Sequence, residues 1–240
     1  MLRTDRAPIA VLLILLPLVC WSWIVVMARD MYGPMTGASA WMMTAAWDAP
    51  HLFLLWAMWA VMMIGMMLPA ATPMIVLAGA TARQMYLLAC GYVVVWALFS
   101  VGATALQWGL MRMLVVNSMM ELSSRRAGAV LLIVAGLYQW TPWKRACLTV
   151  CQSPTAFVMR RWRSGPWGAF RMGLEHGTYC VGCCWALMLL LFAGGVMNLT
   201  VIAALTAFVA FEKLVPVGAI GARISGTLLL SLAAWLLFVR

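Results

Sequence analysis

Charge is scarce in this chain. Of 240 residues, nine per cent are charged, only six are Asp or Glu, and two are His. A soluble domain carries about a quarter charged residues. With 66% hydrophobic residues and a mean hydropathy of +0.99, no water-exposed globule could absorb the apolar surface, so lipid must solvate much of it. The shortage of acids leaves no credible Ser/His/Asp set. His51 and His176 lie toward opposite sides of the topology derived below, so they cannot jointly hold a haem. Phosphate-cradling glycine loops, a dinucleotide fingerprint and a CxxCH haem attachment sequence are all absent. Polar–apolar alternation is missing too. Continuous apolar runs at 11–18 and 187–192 exclude a membrane β-barrel.

What is present is a series of apolar segments. A spanning helix needs about 20 residues, and seven candidates run 7–27, 52–80, 85–108, 128–140, 178–196, 200–217 and 227–239. The expected fold is an all-α, polytopic membrane helix bundle over 1–240 with about seven spans. The count falls to six if the short fourth segment does not cross fully. The first segment follows Arg3 and Arg6 like a signal peptide, but its length and the Arg29-Asp30 that follows make it a retained span. Pro69 and Pro73 predict a bend or unwinding in the second.

Basic residues account for the net charge of +10 and sit at segment ends, which fits positive-inside topology and anionic headgroups rather than nucleic acid. Lys144, Arg145, Arg160, Arg161, Arg163 and Arg171 lie between segments four and five. That loop is therefore expected in the cytoplasm, and counting back places the N-terminus there as well. Arg125 and Arg126 fall on the outer side by the same count.

Five of the seven cysteines flank this loop. Cys147 and Cys151 are spaced i, i+4; His176, Cys180 and Cys184 would share one helical face, with Cys183 one position aside. Thiolates and imidazole select Cu(I) or Zn(II). Packing is the plainer alternative, and the only one needed for Cys20 and Cys90. Met58, Met62 and Met66 form a stripe with Met63 and Met67 beside it, and Met31, Met35, Met42, Met43 and His51 could supply an outer approach. Thioethers can pass Cu(I) along a span, although methionine is also a common core filler. Glu212 and Lys213 are ionisable residues inside a span and face different partners. Glu212 could pair with a basic-loop residue such as Arg171 or serve the thiol site as oxygen donor or proton relay. Lys213 could simply snorkel. Small residues at Gly173 and Gly177, and again at Ala222 and Gly226, suit close packing of the last three spans around the cysteines.

The stretches Tyr138-Gln-Trp-Thr-Pro142-Trp-Lys-Arg-Ala-Cys147-Leu-Thr-Val-Cys151-Gln-Ser-Pro154, Gly168-Ala-Phe-Arg171-Met-Gly173 and His176-Gly-Thr-Tyr-Cys180-Val-Gly-Cys183-Cys184-Trp185 carry a resemblance. So do Gly195-Val-Met-Asn198-Leu, Glu212-Lys213-Leu-Val-Pro216 and the Trp59–Pro69 segment. Together they resemble a bacterial family of predicted metal-binding integral membrane proteins of uncharacterised function. The resemblance covers 52–226 and implies a multi-span inner-membrane protein with a metal site, but no established reaction.

The leading expectation is a soft-metal protein, copper before zinc, acting in transport, delivery or assembly of a membrane metalloenzyme. Its ligands would be Cys147, Cys151, His176, Cys180, Cys183 and Cys184, with Met62 and Met66 in transit and Glu212 beside them. Its partners would be the bilayer and a membrane metalloenzyme or metal chaperone. Two alternatives stay open: a thiol redox protein exchanging electrons with quinone, and a non-catalytic subunit of a larger membrane complex.

Overall fold

The computed structural model describes residues 7–33, 48–117, 120, 122, 124–215 and 218–238, nearly all of them helical. Each apolar segment is a helix. In chain order they are α1 (Ala7–Met31), α2 (Ala49–Ala78), α3 (Ala82–Arg112), α4 (Arg125–Gln139), α5 (Pro142–Gln152), α6 (Pro154–Arg161), α7 (Gly165–Met188), α8 (Leu190–Gly194), α9 (Leu199–Leu214) and α10 (Gly218–Phe238). Met35, Met42 and Met43 of the expected outer approach lie outside the described residues.

The helices begin where short polar side chains can take up orphan N–H groups. Asp48 caps α2 by accepting from the His51 N–H, and Thr81 and Gln84 cap α3 reciprocally. Thr141 caps α5 ahead of Pro142, and Asn198 caps α9.

Among the described residues, five helical stretches are long and apolar enough to cross a membrane: Ala7–Met31, Ala49–Ala78, Ala82–Arg112, Gly165–Gly194 and Ile220–Phe238. Segments four and six form helices of only 15 and 16 residues. At a rise of 1.5 Å per residue these reach roughly 23 Å, against a hydrocarbon core of about 30 Å. Seven membrane-length helices are therefore not shown among the described residues. The fifth segment differs as well, because its helix starts at Gly165 and not near 178. Arg171, Glu175 and His176 lower hydropathy there without breaking the helix, which Pro166 opens in its first turn. The expected loop upstream contains α5 and α6.

Helix α2 continues through Pro69 and Pro73 and does not unwind. Each proline removes one backbone donor, and two carbonyls between Gly65 and Pro69 accept side-chain hydroxyls. The Tyr92 hydroxyl donates to Met67 O and the Thr72 hydroxyl to Leu68 O, each at 3.0 Å.

Helices α3 and α7 cross in close contact. Gly91 faces the backbone of Phe170 and Leu174, while Gly173 lies against the Leu88 carbonyl, so neither position has room for a Cβ. The second small-residue stripe packs on α4: Gly226 of α10 meets Gly136 O and the Trp140 ring just past the end of that helix.

Candidate metal site

Sulfur collects where α2, α5, α7 and α9 meet. Cys180 is the sixteenth residue of α7, roughly 22 Å along it at 1.5 Å per residue. Cys180, Cys183 and Cys184 are all buried. The Cys183 and Cys184 thiols donate to the Cys180 carbonyl one turn back, at 3.1 and 2.9 Å. Two of the three expected face-sharing residues, His176 and Cys184, flank Cys180 on this buried side.

The second cysteine pair approaches from α5. Cys151 Sγ lies 3.9 Å from Cys183 Sγ, and Cys147 Sγ packs so closely on Gly182 that an added Cβ there would come within 2.8 Å. The Tyr138 hydroxyl donates to the Gly182 carbonyl from α4 and fixes the same turn. All seven described cysteines are free; Cys20 is buried against Gly65 and Cys90 is exposed. Burial pushes the Cys147 thiol above its usual range. The hydrogen bond with Cys183, and then burial, push Cys151 well above it. Both hold their protons more tightly than a free thiol, so a cation captured on α5 would have to displace protons and capture would weaken as pH falls.

His176 is buried with its ring against Tyr92 and Phe157, at centroid distances of 5.9 and 5.4 Å, and its Nδ1 has no hydrogen-bond partner. Met58, Met62, Met63, Met66 and Met67 are all buried in α2. Met67, outside the Met58–Met62–Met66 stripe, reaches the site through Lys213. Lys213 Nζ lies 3.7 Å from its Sδ and 2.8 Å from Cys180 Sγ. The Tyr92 hydroxyl completes this group, 3.0 Å from the same sulfur.

Glu212 and Lys213 do have separate partners, though neither is Arg171. Lys144 Nζ donates to Glu212 Oε2 at 2.7 Å, with the side chains 0% and 4% exposed. Arg171 is exposed. Gln152 adds a hydrogen bond to the Glu212 backbone carbonyl at 2.7 Å. Lys213 does not snorkel: it is only 6% exposed and turns toward sulfur. Lys144 reads in the sequence as one more loop cation, yet it is buried; Tyr92 carries no sequence signal at all.

Among the described residues, no three His, Cys, Asp or Glu side chains come together as a group that could hold a metal ion. What the structure brings together is an open set of thiols with a thioether beside Lys213. A soft monovalent ion of low coordination number suits such a set better than a tetrahedral divalent one.

Comparison with known proteins adds one finding. A family model described as PpoB2, copper chaperone, matches residues 56–236. No curated protein and no solved structure matches the chain.

Proposed function

Because the chain belongs to the PpoB2 copper chaperone family, we propose that it binds Cu(I) inside a membrane helix bundle and hands it to a metalloenzyme or another metal carrier. One observation supports this above the others: thiols from α5 and α7 lie together, beside a thioether from α2. Cys180, Cys183 and Cys184 form the inner thiol group from which the ligands are drawn, with His176 one turn below. Cys147 and Cys151 form a second pair through which the ion enters or leaves. Met62 and Met66 serve as transit ligands that need no deprotonation. Glu212 is committed to Lys144 and supports the site without ligating the metal.

The protein is read as a bacterial inner-membrane protein with its N-terminus in the cytoplasm. The five membrane-length stretches, together with α4 and α9 shielded by their neighbours, would make seven spans. Detergent-purified protein should hold Cu(I) stoichiometrically, and Cys180→Ser should remove most of it, as read by elemental analysis. Equal copper in both proteins, or none in wild type, would defeat the proposal.

The 3.9 Å separation of Cys151 and Cys183 favours a second reading, thiol redox chemistry. A disulfide needs the sulfurs about 2 Å closer. The dithiol would give two electrons and two protons to a quinone, yielding one disulfide and one quinol. Anaerobic incubation with a soluble quinone should then produce a Cys151–Cys183 bridge, visible in peptide mass mapping, with one quinol per chain. If the thiols stay reduced under those conditions, the redox reading is lost.

A further inference from the structure

Lys213 is a buried cation without an anion to match it. Among the described residues, the ion pairs are Lys144–Glu212 and Arg163–Glu175, and Lys213 belongs to neither. Its own chain neighbour Glu212 faces Lys144 instead. What surrounds the Lys213 ammonium is Cys180 Sγ at 2.8 Å, Met67 Sδ at 3.7 Å and, across Cys180, the Tyr92 hydroxyl. An ammonium held in an apolar interior is costly unless a negative charge sits beside it. Carboxylates would be the usual partner; here the position is taken by the atom that would ligate the metal.

Charge counting then restricts what can bind. A thiol that ligates a metal is deprotonated outright. Cu(I) on one thiolate is neutral and would leave Lys213 uncompensated. With two thiolates the complex carries one negative charge, which the ammonium cancels. Zn(II) on the same two thiolates is neutral, so the lysine works against it. The second thiolate is best supplied by Cys184, one helical turn from Cys180. Its thiol donates to the Cys180 carbonyl and stays within α7, whereas Cys183 is also engaged with Cys151 of α5. Met67 can add a neutral third donor without altering the balance.

We propose that Lys213 is the fixed counter-cation of a Cu(I) bis-thiolate formed by Cys180 and Cys184, and that it sets the site's preference for a monovalent ion. This rests on the copper reading given above. It goes beyond that reading in assigning ligand number, complex charge and the residue that enforces them. Lys213 is a positioning and specificity residue here; it does not ligate the metal.

The test uses full-length protein in detergent, with Cu(I) affinity read by competition against a chromophoric Cu(I) chelator and Zn(II) affinity read in parallel. Lys213→Met should lose on the order of 100-fold in Cu(I) affinity, as expected for stranding a buried charge. Its Zn(II) affinity should hold or rise. Lys213→Arg, which keeps the charge, should stay within about tenfold of wild type for Cu(I). X-ray absorption at the copper edge should show two short Cu–S bonds in wild type, falling to one in Cys184→Ser.

Equal Cu(I) affinity in wild type and a folded Lys213→Met would overturn the proposal, as would parallel losses for Cu(I) and Zn(II). Should Lys213→Met not fold, the wild-type sulfur count still decides, because three short thiolate bonds contradict the charge balance. Absence of Cu(I) binding in wild type would instead defeat the copper reading itself, an outcome distinct from any of these.

Discussion

Lys144→Met should destabilise the protein more than the loss of an ion pair suggests, and Lys144→Met combined with Glu212→Met should recover most of it. The Lys144 ammonium and the Glu212 carboxylate are both buried and 2.7 Å apart. Glu212 Oε1 already has no hydrogen-bond partner, so Lys144 bears nearly all of the carboxylate's compensation. Removing one member of a buried pair costs about 3–5 kcal/mol, because the other charge remains in a medium that solvates it poorly. For a chain of this size that corresponds to a fall of roughly 10 °C in unfolding temperature. Replacing both members with apolar side chains removes the stranded charge, and such replacements are often neutral. The measurement is a double-mutant cycle on unfolding midpoints in detergent. If the single and double variants unfold together, the pair is not holding α5 to α9. Glu212→Met alone should be damaging too, since it strands Lys144 in the same way. Copper affinity should fall only as far as α5 loosens, because neither group touches the inner sulfurs.

This pair shows where sequence reasoning stops. Hydropathy located every apolar segment, because a run of apolar residues is a local property and lipid-facing helices must have one. The caps at Asp48, Thr81, Thr141 and Asn198 are local as well, since capping involves residues only two or three apart. The segment bounds at 52, 85 and 200 rest on hydropathy, however, and do not use them. The cysteines could be grouped because i, i+4 spacing determines a shared face. Long-range partners were not legible. Lys144 looked like a cytoplasmic cation among five arginines, and only the packing of α5 under α9 shows that it is buried. Tyr92 sits in an apolar helix with no neighbour in sequence to hint at Cys180, 88 positions away. Met67 stood beside the expected methionine stripe. The placement of α2 against α9 brought it to the site.

The same distinction holds for helix ends. Residues 165–177 carry Arg171, Glu175 and His176, which hydropathy counts as loop. A helix tolerates them because Arg171 is exposed and Arg163 Nη2 donates to Glu175 Oε1 at 2.6 Å, while His176 turns inward between aromatic rings. Extending α7 in this direction moves the cysteines from the end of a span to its middle. On the proposed copper reading, a metal held there would be shielded from water by helices on several sides, and its release would require a path such as the one that Cys183, Cys151 and Cys147 outline toward α5.

The largest effect of any single methyl group is expected at Gly173. An added Cβ would fall on the Leu88 backbone carbonyl, and backbone cannot step aside as the tip of a flexible side chain can. Helices α3 and α7 must then separate along the crossing that Gly91 shares, where a Cβ would meet Leu174 N at 2.9 Å. Separation has a consequence at the site, because Tyr92 follows Gly91 directly and reaches both Met67 O and Cys180 Sγ at 3.0 Å. Gly173→Ala should therefore lower the yield of monodisperse protein and weaken Cu(I) binding together. Gly102→Ala is the matched control. It lies on the same α3, but nothing stands within 4 Å of the added methyl, so it should gain up to about 1 kcal/mol from helix propensity. Opposite signs for two Gly→Ala changes would identify close approach, not glycine content, as what the α3–α7 crossing needs. Equal unfolding midpoints for the two variants would show that the crossing is looser than the packing of Gly173 on Leu88 requires.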